Sequence, residues 1–242
     1  MTELPKTLED AIAQARLATQ AALEDGLTRL KVELVFPELK PLPVAEQFIP
    51  LFEDLGSQLK VLFPDAGAAA LACRDWGEKP FVIRGIGEQK AALEPEDRLL
   101  LLVGPTAVEV NQVEKLCQQA DERPVVLLNP SLEDVSVVGI GYAARQLRER
   151  FLNTLESCYY LRPIQNGAIL RAYPAAWQVW RETEPGEYQL AAEESRRPLA
   201  EDLERILAPA AEDRQNPAGN NPGPKSPGLL ANLQQFLRAL SQ

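Results

Sequence analysis

The 242-residue chain is 45% hydrophobic and carries 25 Lys and Arg against 35 Asp and Glu, a net charge of −10. A chain of this size buries a substantial core without disulfides, and its acidity disfavours general attraction to nucleic acid or anionic lipid. It contains no histidine, which excludes Ser-His-Asp and Cys-His catalysis, His-ligated zinc and imidazole acid-base chemistry.

Leu8, Ile12, Ala15, Ala18 and Ala22 recur at helical spacing before Gly26, so a helix is expected over 8–23 with Gly26 as its C-terminal cap. Leu30 to Phe36 alternates and reads as a strand, and Pro37, Pro41 and Pro43 are expected to delay the next helix until about Ala45 to Leu55. Leu59 to Phe63, Pro80 to Ile83, Arg98 to Val103 and Pro124 to Leu128 read as buried strands. Helices over Ala66 to Asp75 and from a Thr106 cap to about Ala120 separate them. This alternation predicts an α/β fold with a largely parallel central sheet and helices on both faces.

From Val135 the pattern changes to a short strand (VSVV), a Gly-Ile-Gly turn and a helix over about Tyr142 to Cys158, whose apolar face is Leu147, Phe151, Leu155 and Cys158. Ala168 to Tyr173, Trp177 to Arg181 and Tyr188 to Ala191 follow as a short antiparallel meander, and Pro198 to Leu207 as a further helix. The expected organisation is a single domain over 1–207, a Pro/Gly/Asn-rich flexible linker over 208–228, and a short amphipathic helix over 229–242 carrying Leu229, Leu233, Phe236, Leu237 and Leu240. That tail is read either as docking on its own domain or as a tethered peptide for a groove on a partner.

The start, MTELPKTLED, has no basic region followed by an apolar stretch, so no secretory or targeting segment is expected. Apolar runs are too short to span a bilayer and mean hydropathy is −0.19, which leaves only peripheral membrane contact. Cys73, Cys117 and Cys158 are too widely spaced for a CxxC pair and are expected to be buried free thiols in a reducing, cytoplasmic setting. No carboxylate pair or GKS/T loop supports metal, phosphate or acid-base work, so neither a cofactor nor an enzymatic role is expected.

The strongest local signal lies between Gly139 and Arg181. This segment holds six arginines (Arg145, Arg148, Arg150, Arg162, Arg171, Arg181) against Glu149 and Glu156, contains no lysine, and carries seven of the chain's 15 aromatics. Arginine stacks on aromatic rings and grips carboxylates through two parallel bonds. Tyr142, Arg145, Arg148, Arg162, Arg171, Tyr173 and Trp177 are therefore candidates for binding a partner or anion, with Tyr142, Arg145 and Arg148 expected on the outer side of their helix. The bland reading is that such arginines flank core aromatics and pair with the acidic remainder of the domain. Gly139 and Gly141 open a GxGxx(G/A) pattern that suggests a phosphate-contacting turn, and a nucleotide- or phosphometabolite-binding enzyme of Rossmann-like fold is the alternative reading. The acidic residue that the fingerprint requires about twenty positions later is missing.

The segment Gly139-Ile140-Gly141-Tyr142-Ala143-Ala144-Arg145-Gln146-Leu147-Arg148-Glu149-Arg150-Phe151, with Tyr159-Tyr160-Leu161-Arg162-Pro163 after it, resembles a cyanobacterial and plastid domain family of unknown function. That family includes the plant Low Photosystem II Accumulation factor and an extra domain on a plastid adenylate kinase. Similarity continues through Leu170 to Pro174 and Trp177 to Trp180, and with Pro5 to Ala15, Lys31 to Phe36 and Leu128 to Pro130 it covers about residues 1–181. The resemblance implies a noncatalytic role in photosystem II assembly at the cytoplasmic face of the thylakoid, through binding a membrane subunit or an insertion factor. It brings no active site to carry over.

Overall fold

A computed structural model describes residues 3–133 and 142–208. The expected strand at Val135, the Gly139–Gly141 turn, nearly all of the linker and the tail helix lie outside the described residues.

Helix α1 spans Leu8–Glu24 and starts at Thr7, whose side-chain oxygen accepts from the Asp10 N–H while Asp10 accepts from the Thr7 N–H. Its C-terminus turns at Gly26, where φ is +81°, a conformation that glycine adopts without strain. Strand β1 (Arg29–Leu34) follows, then α2 (Pro41–Phe48) running into a 3-10 segment, β2 (Leu59–Phe63), α3 (Ala66–Trp76) and β3 (Val82–Gly85). Next come β4 (Leu99–Val103), α4 (Val110–Ala120), β5 (Val125–Leu128) and α5 (Tyr142–Arg150). The described elements end with β6 (Glu156–Ile164), β7 (Gly167–Ala172), β8 (Trp177–Glu184), β9 (Glu187–Glu194) and α6 (Ala200–Leu207).

The nine strands among the described residues form one sheet in the order β3-β2-β4-β5-β1-β6-β7-β8-β9. Pairing is parallel from β3 to β6 and antiparallel from β6 to β9. This confirms the α/β reading, a largely parallel sheet ending in an antiparallel meander. α1, α2 and α3 pack on one face against Leu30, Val32, Val61, Leu101 and Val126. α4 and α5 pack on the other against Leu62, Leu100, Leu102, Val125 and Leu127. Val32 and Leu34 face α1, so Glu33 and its register partner Tyr160 lie on the α4 and α5 face. α6 packs there too, with Leu203 against the cluster of Tyr160, Ile169 and Trp177. None of the described helices is long and apolar enough to cross a membrane.

Three expectations are corrected. α2 begins at Pro41 rather than near Ala45, because proline lacks a donor that the first helical turn does not use anyway. The helix after Thr106 begins only at Val110. Both the N–H and the hydroxyl of Thr106 donate to Glu109, at 2.9 and 2.7 Å, so this threonine braces the turn instead of capping a helix. The helix from Tyr142 stops at Arg150. Phe151 leaves helical geometry, with φ −133° and ψ −59°, and a 3-10 turn leads into β6, where Tyr159, Tyr160 and Leu161 pair with β1. β-Rich residues beside a parallel partner outweigh the helical spacing that ran through to Cys158. As a result Phe151 and Leu155 pack with α4, whereas Cys158 faces α1, with its sulfur 3.6 Å from the Thr19 hydroxyl.

Cys117 and Cys158 are buried free thiols as expected, but Cys73 on α3 is exposed. One of the three thiols should therefore react with a bulky disulfide reagent in the folded protein, and the other two only after unfolding. Burial pushes both inner thiols up to about 11, against about 8.5 in an unfolded chain. Below about pH 8.5 both states hold these protons and the stabilisation is intact. As pH rises from there towards 11 the unfolded chain releases protons the fold retains, so stability falls. Urea midpoints should drop between pH 7 and pH 10, and less so with Cys117→Ala and Cys158→Ala together.

Candidate functional site

The carboxyl ends of parallel strands are where open α/β sheets commonly hold ligands. Here their polar groups are committed to the backbone. Asp65 caps α3, accepting from the Ala68 N–H at 2.9 Å, so a carboxylate already occupies the helix terminus a phosphate would seek. The end of β3 closes against the same turn: a Cβ on Gly85 would stand 2.6 Å from the Ala66 nitrogen. Glu88 accepts from the Gly85 N–H at 2.6 Å, and Asn129, at φ +49°, accepts from the Leu34 N–H at 2.7 Å, tying the ends of β5 and β1. Among the described residues no group of His, Cys, Asp and Glu is arranged to hold a metal ion.

The arginine-rich segment separates into two populations. Arg150 makes a two-pronged pair with Glu114 of α4, at 2.8 and 2.9 Å, and Arg148 donates to Glu133 at 2.5 Å. These hydrogen bonds, with the charge of the carboxylates, hold both guanidinium pKa values above the ordinary. Arg171 is the most committed. It donates to the Ser157 carbonyl (3.0 Å), the Ala175 carbonyl (3.0 Å) and Glu156 (2.6 Å), and lies 5.6 Å from the centre of the Trp177 ring. Arg181 donates to the carbonyls of Ile206 and Ala208, satisfying the C-terminus of α6. Trp177 is buried, its ring 5.3 Å from that of Tyr160. These side chains hold elements together.

The second population faces water. Tyr142 is 78% exposed at the start of α5, bonded only to Gln146 of its own helix among the described residues. Arg145 is exposed on the same helix, and Arg162 is exposed on β6, two residues beyond Tyr160 on the same face of the sheet. Neither has a hydrogen-bond or ion-pair partner among the described residues.

Arg162, Arg171 and Trp177 thus come together around Tyr160, on the face that also carries α5 with Tyr142, Arg145 and Arg148. Tyr173 does not join them. Its hydroxyl donates to Asp25 at 2.8 Å beyond the C-terminus of α1, and that bond is the main cause of its raised pKa. Beside β6, this face of β1 is only partly covered. Val35 is 41% exposed, and the side chains of Lys31 and Glu33 retain 24% and 15%, whereas Leu127 under the neighbouring helices retains none.

One member of this face was missed in the sequence. Arg197, from the segment joining β9 to α6, places its guanidinium carbon 4.3 Å from the centre of the Tyr160 ring and donates to the Tyr160 hydroxyl at 2.6 Å. No local pattern marks it, since its position follows from that segment passing beside a strand 37 residues earlier.

A family model described as "Domain of unknown function (DUF1995)" matches residues 5–205. The matched span runs past Arg181, where the resemblance in the sequence stopped, and takes in β9 and most of α6. No solved structure matches the chain.

Proposed function

We propose that this chain, which belongs to the DUF1995 family, is a noncatalytic binding protein that grips a protein partner through the face carrying α4, α5 and α6. The observation that carries this reading is the division among its arginines. Arg148, Arg150, Arg171 and Arg181 are spent on internal partners, while Arg145 and Arg162 stand exposed on one face with none among the described residues. Exposed arginine and tyrosine beside a partly open sheet are the side chains that dominate binding energy at protein interfaces. The strand-end crevice supports catalysis less well, because Asp65, Glu88 and Glu109 already serve backbone groups or the neighbouring turn.

The partner we propose is a membrane subunit of photosystem II or an insertion factor serving it, met at the cytoplasmic face of the thylakoid membrane. The support is the likeness of the Gly139 to Pro163 and Leu170 to Trp180 motifs to the family that includes the plant Low Photosystem II Accumulation factor. Tyr142→Ala with Arg145→Ala is the informative variant, since neither side chain ties elements of the domain together; Arg148→Ala would also release Glu133. In affinity capture from a photosynthetic membrane extract, this double variant should recover at least tenfold less of the partner than the unaltered chain, with an unchanged urea midpoint. Equal recovery by the folded variant would remove α5 from the interface.

A further inference from the structure

We infer that Arg197, stacked on the Tyr160 ring, and Arg162, two residues along β6 on the same face, form a receptor for a carboxylate on an acidic segment of the protein partner. The inference rests on the partner-binding reading and gives the chemistry of what is bound.

Arg197 is held in place without being neutralised. It stacks on the buried Tyr160 and donates one hydrogen bond to that hydroxyl, and no carboxylate among the described residues pairs with it. A guanidinium has five N–H donors, so most remain available, in a fixed plane suited to a two-pronged grip. The Tyr160 hydroxyl accepts from Arg197, and since Tyr160 is 1% exposed it fixes the guanidinium from beneath while the remaining Arg197 donors face outward. Arg162 lies two residues further along β6 on the same face, about 7 Å away along the strand by backbone spacing.

The acids nearby are taken. Glu33 is held by the Ser157 hydroxyl at 3.0 Å and Lys31 at 3.4 Å, and Glu156 by Arg171 at 2.6 Å. Two cations are left with no anion of their own among the described residues, on a chain of net charge −10, which points to an anion from outside. A carboxylate suits them better than a phosphate dianion. Apolar surface flanks the arginines: Leu199, 62% exposed, is two residues after Arg197, and Val35, which donates its N–H to the Leu161 carbonyl, adjoins Arg162. The occupant is thus a segment with a carboxylate beside an apolar side chain, a combination that charge complementarity and the partly covered face of β1 both favour.

The test uses the full chain and three probes: acetyl-Leu-Glu-Glu-Leu-amide, the same peptide with glutamine for glutamate, and inorganic phosphate. The arginine Nε–H signals of Arg162 and Arg197 are followed by NMR, with Arg74 on the opposite face as the control. The acidic peptide should move both signals saturably and leave Arg74 in place. The glutamine peptide should bind about tenfold more weakly, and so should the acidic peptide to Arg162→Gln or Arg197→Gln. Arg162 has no partner among the described residues, so its variant tests the site even if Arg197→Gln loosens α6. No saturable shift with the acidic peptide, tighter binding of phosphate, or unaltered affinity in folded Arg162→Gln would each overturn the inference. No peptide binding to the unaltered chain, with partner capture still sensitive to Tyr142 and Arg145, would overturn this receptor and leave the partner-binding reading standing.

Discussion

Replacing Lys60 by methionine is expected to lower the stability of the domain by about 3–5 kcal/mol, the cost of stranding one member of a buried ion pair. Lys60 lies on β2 between its parallel neighbours β3 and β4, 1% exposed, with its ammonium 2.7 Å from Asp97, which is 4% exposed. The surroundings complete the pair. Lys60 also donates to the Ala92 carbonyl at 2.6 Å, and Asp97 accepts from the Glu94 N–H at 2.7 Å. The loop between β3 and β4 is thereby fastened beneath the sheet, and Arg123 adds a bond to the Glu94 carbonyl at 2.9 Å. With methionine at 60, Asp97 has no cation and must either stay charged in an apolar setting or take up a proton. The double variant Lys60→Met with Asp97→Leu should recover most of the loss, because removing both charges also removes the desolvation penalty. Urea unfolding of the two variants decides this. A single variant as stable as the unaltered chain would show that water reaches the pair.

Trp177→Ala is expected to have a comparable effect, about 3–5 kcal/mol, as for other large buried aromatics cut to alanine. The side chain is buried between Tyr160 and Arg171 and belongs to the small cluster that seats α6 through Leu203. Removing it takes away the ring on which Arg171 rests and one wall of the Tyr160 site. The change should appear mainly as a lower urea midpoint, with Trp177→Phe retaining most of the stability. A midpoint within experimental error of the unaltered chain would place Trp177 outside the core and restore it as a direct contact for the partner.

The contrast between these two residues shows what the sequence could reveal. Leu59 to Phe63 and Leu99 to Val103 were legible as strands because a parallel strand covered on both faces is apolar throughout. Lys60 sat in the first of these runs with nothing local to mark it, since its partner is 37 residues away and only the β2-β4 pairing brings Asp97 within reach. The arginine and aromatic bias between Gly139 and Arg181 was plain in composition, but the fold divides it between the two faces, with Tyr160 and Trp177 beside Arg171 on one and Tyr159 and Trp180 packed on the α1 side. Which arginines are spent was not legible, because Glu114 and Glu133 come from other elements whose approach depends on the packing of α5. The helix that ends at Arg150 instead of continuing to Cys158 is the same lesson at shorter range. Helical spacing continued, but the free edge of β1 offered Tyr159 to Leu161 a better set of hydrogen bonds.

The central claim is that a partner docks on the face of the sheet shared by α4, α5 and α6. Its most direct test is a photo-crosslinking amino acid placed at Tyr142, which is 78% exposed on that face, and in a second variant at Leu71 of α3, exposed on the opposite one. Irradiation in a photosynthetic membrane extract should join position 142 to one defined protein and leave position 71 without that product. Equal labelling from both positions, or the product from position 71 alone, would contradict the assignment of this face.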